Sequence, residues 1–475
     1  MTAVRRALGP AILALIVGSV VGCSPAPETA KSFDNVVLVT IDTLRADHLG
    51  AYGYPRPVSP FIDSLAAEGV RFDRAISSSS HTAPSHTSIF TSQYPARHGV
   101  LFNGVKLQPG IPTLASTFRD AGFDTAVFSA VRFLRGSARG FETRNFHSKA
   151  GFRRAERTVD RALEWIETLD GDSRYLLWVH FFDVHSSNAK SRPPADLLEG
   201  MRQDSQQREA ELREFLISAQ GIPPAFLDGE EERFEGLGEL ERFNRYDAQI
   251  ATVDRELRRL FEGLESSSSN RRSRTLWVVT ADHGEGLGSH QYIGHGKHLY
   301  REQIWVPLII HAGDGSLTPQ VIEERVAHVD LFPTIAELAG VALDSDSLEL
   351  EGRSLVPILS GVESESVEPA FAQRRPADKV RIRGGWPDEL ALVAEGDRFK
   401  YILHSEGDDE LYDLKTDPLE LENLIGTGLP EERELAEWLA RKYEWMVERP
   451  LSESPGGVQI EAEYVEELKA LGYLK

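Results

Sequence analysis

Three short apolar runs punctuate the chain. Residues 36–41 read VVLVTI, residues 175–182 read YLLWVHFF and residues 275–280 read TLWVVT. Runs this short and this continuous suit strands covered on both faces, as in the parallel sheets of α/β proteins. Each run also ends in polar chemistry: Asp42 after the first, Asp183 and His185 after the second, Asp282 and His283 after the third. Open α/β sheets bind their ligands beyond the carboxyl ends of the strands. The three runs therefore predict one convergent site.

Between the second and third runs the period changes. Tyr246, Ile250, Val253, Leu257, Leu260 and Leu264 alternate at spacings of four and three, which predicts a helix over 243–264 with one apolar stripe against the sheet. Residues 196–240, rich in Glu, Arg and Gln, read as a solvated helical excursion. Residues 266–269, four serines before Asn and two Arg, read as an exposed loop. A second change of register falls near residue 362. Beyond it, 390–393 and 399–404 read as strands of a hairpin turned at Glu395-Gly396-Asp397, and 430–446 as a helix. The expected division is a leader at 1–22, a tether at 23–34, a main domain at 35–361, and a smaller C-terminal unit and tail at 362–475.

Composition narrows the functional classes. At 41% hydrophobic over 475 residues the chain can bury a large core, which excludes wholesale disorder. With 52 basic against 74 acidic side chains the net charge is −22, which argues against nucleic acid as a partner. A single cysteine excludes an internal disulfide framework and a cysteine-based zinc site. That cysteine, Cys23, follows Arg5, Arg6 and an apolar stretch over 7–21, the order of a bacterial lipoprotein signal. The expectation is a lipid on Cys23 tethering the protein to a membrane of the bacterial cell envelope, facing the periplasm or at the outer membrane. About fifteen apolar residues are short of the roughly 20 that a membrane-spanning helix needs.

Four segments carry candidate chemistry: Asp42 with its following turn; residues 80–86, SHTAPSH, ahead of a helix predicted over 87–91; Asp183 with His185; and residues 280–307. The last holds Asp282, His283, His290, His295, Lys297 and His298, so four of the 14 histidines fall within sixteen residues. Asp and His at strand ends offer oxygen and nitrogen ligands to a divalent cation. A hydroxyl at a helix start could share that cation and become a nucleophile, while helix amides and Lys297 meet the charge of an anionic ester. Taken singly, each has a structural alternative: Asp42 could cap a turn, Thr82 a helix, and Asp282 a loop.

The chain resembles the sulfatase family of the alkaline phosphatase superfamily. The resemblance runs through residues 36–53 (VVLVTIDTLRADHLGAYG), 59–75 (SPFIDSLAAEGVRFDRA), 82–99 (TAPSHTSIFTSQYPARHG), 282–307, 329–340 (VDLFPTIAELAG) and 352–361 (GRSLVPILSG), and continues at 410–424 (ELYDLKTDPLELENL). It implies an α/β fold with a large mixed, mostly parallel central sheet flanked by helices, plus a smaller C-terminal α+β unit with an antiparallel sheet. It further implies one divalent ion, Ca, Mn, Zn or Mg, held by Asp42, Asp282, His283 and Thr82. Thr82 matches the nucleophile, and His185 and Lys297 match residues that bind the oxyanion or assist the leaving group. His295, His86 and Arg132 are the further candidates for contact with the substrate.

The departures are chemical. Family members that use formylglycine carry C-x-P-S-R or S-x-P-S-R, where this chain has Thr82-Ala83-Pro84-Ser85-His86. Threonine is not a substrate for that oxidation. Asp42-Thr43 replaces two adjacent Asp, and His283 replaces Asn. Ala130 and Arg132 stand where some members place Lys and His. The pattern is closer to phosphodiesterases, phosphonate ester hydrolases and phosphoryl-type transferases of the superfamily. The expected substrate is therefore a small-molecule or glycan-type phosphate or phosphonate ester. A sulfuric ester hydrolase without formylglycine and a catalytically silent glycan-binding member are the alternatives.

Overall fold

Strand β1 (Asn35–Ile41) is buried along its whole length, and so are β5 (Tyr175–Phe181) and β6 (Thr275–Ala281), the second and third apolar runs. A computed structural model describes residues 32–185, 192–228, 240–267, 275–344, 348–362, 368–374, 390–405, 407–449 and 462–471. The leader, Cys23 and most of the tether lie outside these residues. The three strands form the middle of a nine-stranded sheet, with β1 between β6 and β5 and parallel to both. Beyond β5 come β3 (Asp124–Ser129) and β4 (Thr143–Phe146), also parallel. On the other side β9 (Trp305–Ala312) runs antiparallel to β6 and to β2 (Val70–Ile76), and β2 pairs in parallel with β10 (Gln320–Ile322) and β11 (Val326–Ala327). The sheet is thus mixed and mostly parallel; outside it, β7 (Gly286–Leu287) pairs antiparallel with β8 (Ile293–Gly294).

Alternation along the strands divides the helices between two faces. On one, Trp277 meets Phe261 of the helix Glu241–Ser267, and Tyr175 meets Trp165 of the helix Ala155–Ile166. On the other, Trp178 meets Phe90 of the helix Thr82–Thr91. Two helical boundaries differ from the sequence pattern. The helix predicted from 87 begins at Thr82, because Pro84 is tolerated in a first turn, where its missing N–H is no loss. The long helix runs through Ser267, so the serine run opens inside it, and 268–274 lie outside the described residues. The excursion is helical over Ala195–Gln207 and Glu209–Gln220, but Leu216, Ile222 and Leu227 reach the main core, so one face of it is not solvated.

The hairpin read at 390–404 is present as β13 (Ala391–Glu395) and β14 (Phe399–His404), within an antiparallel sheet flanked by β12 (Ala370–Arg374) and β15 (Glu410–Asp413). The helix Pro430–Glu448 covers it with Leu439 and Met446. Its core takes in Ile76, Tyr94 and Ile304 from the larger part, and the described residues pack as one unit. The Gln373 amide donates to the Ser78 carbonyl at 3.0 Å, which docks this sheet beside the loop leading to Thr82. Among the described residues no helix is long and apolar enough to cross a membrane.

Candidate active site

The sheet register does the first positioning. Ile41 pairs with Phe181 on one side and Ala281 on the other, so Asp42 and Asp282 leave adjacent strands at the same level. A turn holds them there. Thr43 adopts φ 58°, and from that conformation its amide donates to Asp282 Oδ1 at 3.1 Å, beside the His283 amide at 2.8 Å. Tyr246, the first apolar residue of the predicted stripe, fixes the turn from below: its hydroxyl donates to the Thr43 carbonyl at 2.7 Å and accepts the Arg45 amide at 2.9 Å.

What remains is a set of buried acceptors with nothing to accept. Both oxygens of Asp42, Oδ2 of Asp282 and Nε2 of His180 have no hydrogen-bond partner, and both carboxylates are fully buried. Burial pushes the Asp42 carboxyl well up, the charges of Asp282 and Glu285 push it further, and the nearby Thr82 hydroxyl only partly offsets them. Burial works against charge on Asp282 too, but His283, His86, His180 and the Thr43 amide outweigh it, and Asp282 lies below the usual carboxylate range. Two buried carboxylates this close are compensated either by a proton on one of them or by a bound cation. Asp42, Asp282 and His283 present donor atoms within 4.8 Å of one another, so the residues fit a metal ion.

Thr82 faces the same point. It is the first residue of its helix, His81 takes the capping position, and no side-chain cap is formed. Thr82 therefore does not act as a helix cap, and its Oγ1 lies 3.4 Å from His283 Nε2. The His283 tautomer is set from behind, since Nδ1 donates to the Gly284 carbonyl at 2.9 Å and leaves Nε2 as a lone pair. Burial lowers the His283 pKa to about 4 and that of His185 to about 3, so both are neutral imidazoles at neutral pH. His295 stands between them, its ring centre 4.7 Å from that of His185 and 4.6 Å from that of His283. Its Nδ1 lies 3.3 Å from Glu285. Lys297, two residues on and half-buried, holds its Nζ 5.6 Å from the centre of the Tyr292 ring.

Two expected substrate contacts fall elsewhere. His86 is buried beneath the site with both nitrogens engaged: Nδ1 donates to the Thr82 carbonyl at 2.8 Å and Nε2 accepts from the Thr40 hydroxyl at 2.9 Å. The Thr40 hydroxyl in turn accepts from Trp178 Nε1 at 2.9 Å. A side chain one helical turn after Thr82 points down at the sheet, so His86 supports the Thr82 backbone and is closed to a ligand. Arg132 is held by the C-terminal helix Ala462–Ala470. Its amide donates to Glu467 Oε1 at 2.6 Å and its Nε lies 3.5 Å from Oε2. Asp183, past the second strand, accepts from the Ala155 amide at the start of the preceding helix Ala155–Ile166. His290 lies 3.1 Å from Glu302 and accounts for no part of the cluster.

Three neighbours of the site carry no strong mark in the sequence. His180 lies inside an apolar run. His81 is buried near the charges of His295, His283 and Arg374, which after burial itself lower its pKa. Asn103 accepts the Ala83 amide at 2.8 Å through Oδ1. His180 shares a face with Trp178, and because β5 is apolar on both faces no polar alternation marks it.

The sulfatase family model matches residues 34–341, more than half of the chain, and a model described as N-sulphoglucosamine sulphohydrolase, C-terminal, matches 288–447. The uncharacterised sulfatase YidJ of Escherichia coli K12 is 26% identical over 82% of this chain and 83% of its own length. A choline-sulfatase of Rhizobium meliloti is 26% identical over 82% of each. Among solved structures, a phosphonate monoester hydrolase of Agrobacterium radiobacter superposes with a TM-score of 0.63 at 21% identity, over 90% of this chain and 98% of that one.

Proposed function

Because this chain belongs to the sulfatase family, whose members are metal-dependent hydrolases of anionic esters, we propose that it cleaves phosphate or phosphonate esters with Thr82 as the nucleophile. One observation carries the reading: buried, unpartnered oxygens of Asp42 and Asp282 meet the lone pair of His283 beside the Thr82 hydroxyl. Asp42, Asp282, His283 and Thr82 would hold one divalent ion. When bound, that ion would lower the pKa of the Thr82 hydroxyl and offset the charge of the ester.

The chain's own groups do the rest. Thr82 lies in the first turn of a ten-residue helix, whose amide end favours an anion there. Its Oγ1 forms a bond to phosphorus as the bond to the departing alcohol oxygen breaks. Lys297 meets the charge of that oxygen, and the His185–His295 pair offers it ring N–H hydrogen bonds. Water or an acceptor alcohol then displaces phosphorus from Thr82, because threonine has no aldehyde-hydrate route to release its adduct. Support for phosphorus over sulfur comes from threonine at position 82, where the formylglycine chemistry needs Cys or Ser. The fold likeness to a phosphonate monoester hydrolase agrees with this choice. The domain limits at 361 and 362 and the anchoring of the chain to the cell envelope through Cys23 belong to the same reading. Loss of lipid labelling in Cys23→Ala tests the anchor.

The direct test uses the full chain in detergent with Mn, Zn, Ca or Mg and aryl phosphodiester, phosphonate and sulfate esters. Phosphorus esters should turn over faster than the sulfate, Thr82→Ala should abolish turnover, and acid quenching should trap phosphothreonine at 82. Activity that survives Thr82→Ala refutes the nucleophile. Faster sulfate release with unmodified Thr82 makes the protein a sulfuric ester hydrolase without formylglycine. Glycan binding without turnover makes it a silent binding member.

A further inference from the structure

His180 is the fourth acceptor of the site and has no assigned part. It lies in the middle of the sheet, fully buried, and its Nε2 is without a hydrogen-bond partner. Its Nδ1 lies 3.2 Å from the Ser129 hydroxyl. That hydroxyl donates to the Val131 carbonyl at 3.0 Å, so it is free to accept, and the proton of the neutral imidazole sits on Nδ1. Nε2 is then a bare lone pair 3.4 Å from Asp42 Oδ2. This repeats the arrangement of His283, whose Nδ1 is tied to a carbonyl and whose Nε2 lies 3.5 Å from Asp282 Oδ2. Fixing one ring nitrogen with a hydrogen bond and presenting the other is how a metal-binding imidazole is oriented.

The separations agree. The distances 3.4 Å from His180 to Asp42, 3.5 Å from His283 to Asp282 and 3.4 Å from Thr82 to His283 are too long for good hydrogen bonds. Donor atoms that each sit about 2.1 Å from a shared ion lie roughly 3.0–3.4 Å apart at octahedral to tetrahedral angles. His86, which is as close to Asp282 at 3.6 Å, differs because both of its nitrogens are already engaged by Thr82 and Thr40. His180 belongs with His86 and Asp282 to a second cluster, whose donor atoms lie within 4.8 Å of one another, and Asp282 is common to both clusters.

We propose that His180 is a further ligand of the cation at Asp42, Asp282 and His283, giving two carboxylates and two imidazoles and directing the site to zinc-class ions over calcium. This rests on the metal reading above, and the experiment separates the two. X-ray absorption of the zinc-loaded full chain counts imidazoles without any substitution: two are expected. With cobalt(II) as probe, His180→Ala should change the visible spectrum, and its zinc affinity should fall more than about tenfold. Its calcium affinity, measured by competition, should change far less, because calcium takes mainly oxygen ligands. One imidazole in the wild type, or an unchanged cobalt spectrum in His180→Ala, overturns the proposal and leaves the metal reading standing. No metal bound by the wild type overturns both.

Discussion

The Tyr246 hydroxyl donates to the carbonyl of Thr43 at 2.7 Å, across 203 residues of sequence. Through this bond a helix on one face of the sheet holds the turn that aims the Thr43 amide at Asp282. Burial raises the Tyr246 pKa well above that of a free phenol, so it stays protonated and a donor at any working pH. Tyr246→Phe leaves the Thr43 carbonyl and the Arg45 amide without their buried partner. The expected cost is about 1–3 kcal/mol in denaturant unfolding, together with weaker metal binding. An unchanged midpoint and an unchanged metal affinity would show that the turn holds itself.

Removing divalent metal should destabilise the protein, and increasingly so as pH rises. The Asp42 carboxyl is raised in the folded state, so the fold binds a proton there that the unfolded chain has released. Stability from this group is complete below the ordinary carboxylate value and is lost as pH rises through the raised one. Chelated protein should therefore melt lower at pH 7 than at pH 5. Metal at a hundredfold excess over its Kd should restore about 2.7 kcal/mol. Equal melting with and without chelator at pH 7 contradicts this.

Gly284, after His283, has no room for a side chain: a Cβ there would run into the Glu302 carbonyl oxygen. Its amide donates to the Gln303 carbonyl at 2.8 Å, so the backbone cannot retreat without breaking that bond. Gly284→Ala should cost about 1–3 kcal/mol of stability and displace His283 from the metal. Circular dichroism melts and zinc titration check it; a variant indistinguishable from wild type in both would count against the close packing.

His290 should give the fold a pH dependence that is separate from catalysis. Its ring stacks on Tyr300 at 3.8 Å and pairs with Glu302, and although burial disfavours the charged form, Glu302 and Glu420 raise its pKa to about 9. The folded value lies above the unfolded one, so this stability is present in full below about 6.5 and is lost as pH rises through about 9. The full effect is at most about 3 kcal/mol. In His290→Gln the fall in melting temperature between pH 6.5 and 9 should flatten; a slope equal to that of wild type rules the pair out as its source.

Much of the fold is legible in the chain. A continuous apolar run of six to eight residues has few solutions other than a doubly covered strand, and β1, β5 and β6 are such strands. The stripe from Tyr246 to Leu264 follows from helical spacing and is buried as expected. Boundaries were less legible. A run of serines is a loop by composition, yet Ser266 and Ser267 continue a helix already nucleated and packed.

The sequence by itself determined that Asp42, Asp282 and His283 end two buried strands, because a strand's end can be read from where its apolar run stops. Tertiary structure alone decided what His180 and His86 do. A strand that is apolar on both faces shows no polar alternation, so nothing local says which face His180 joins. Its parallel register against β1 and β3 sets that, through pairing of residues more than fifty positions apart. His86 looked equally fit for a substrate from its motif, but the first turn of its helix lies against the sheet and commits both its nitrogens to Thr82 and Thr40. Which lone pairs remain for a ligand depends on which ones the fold has already used.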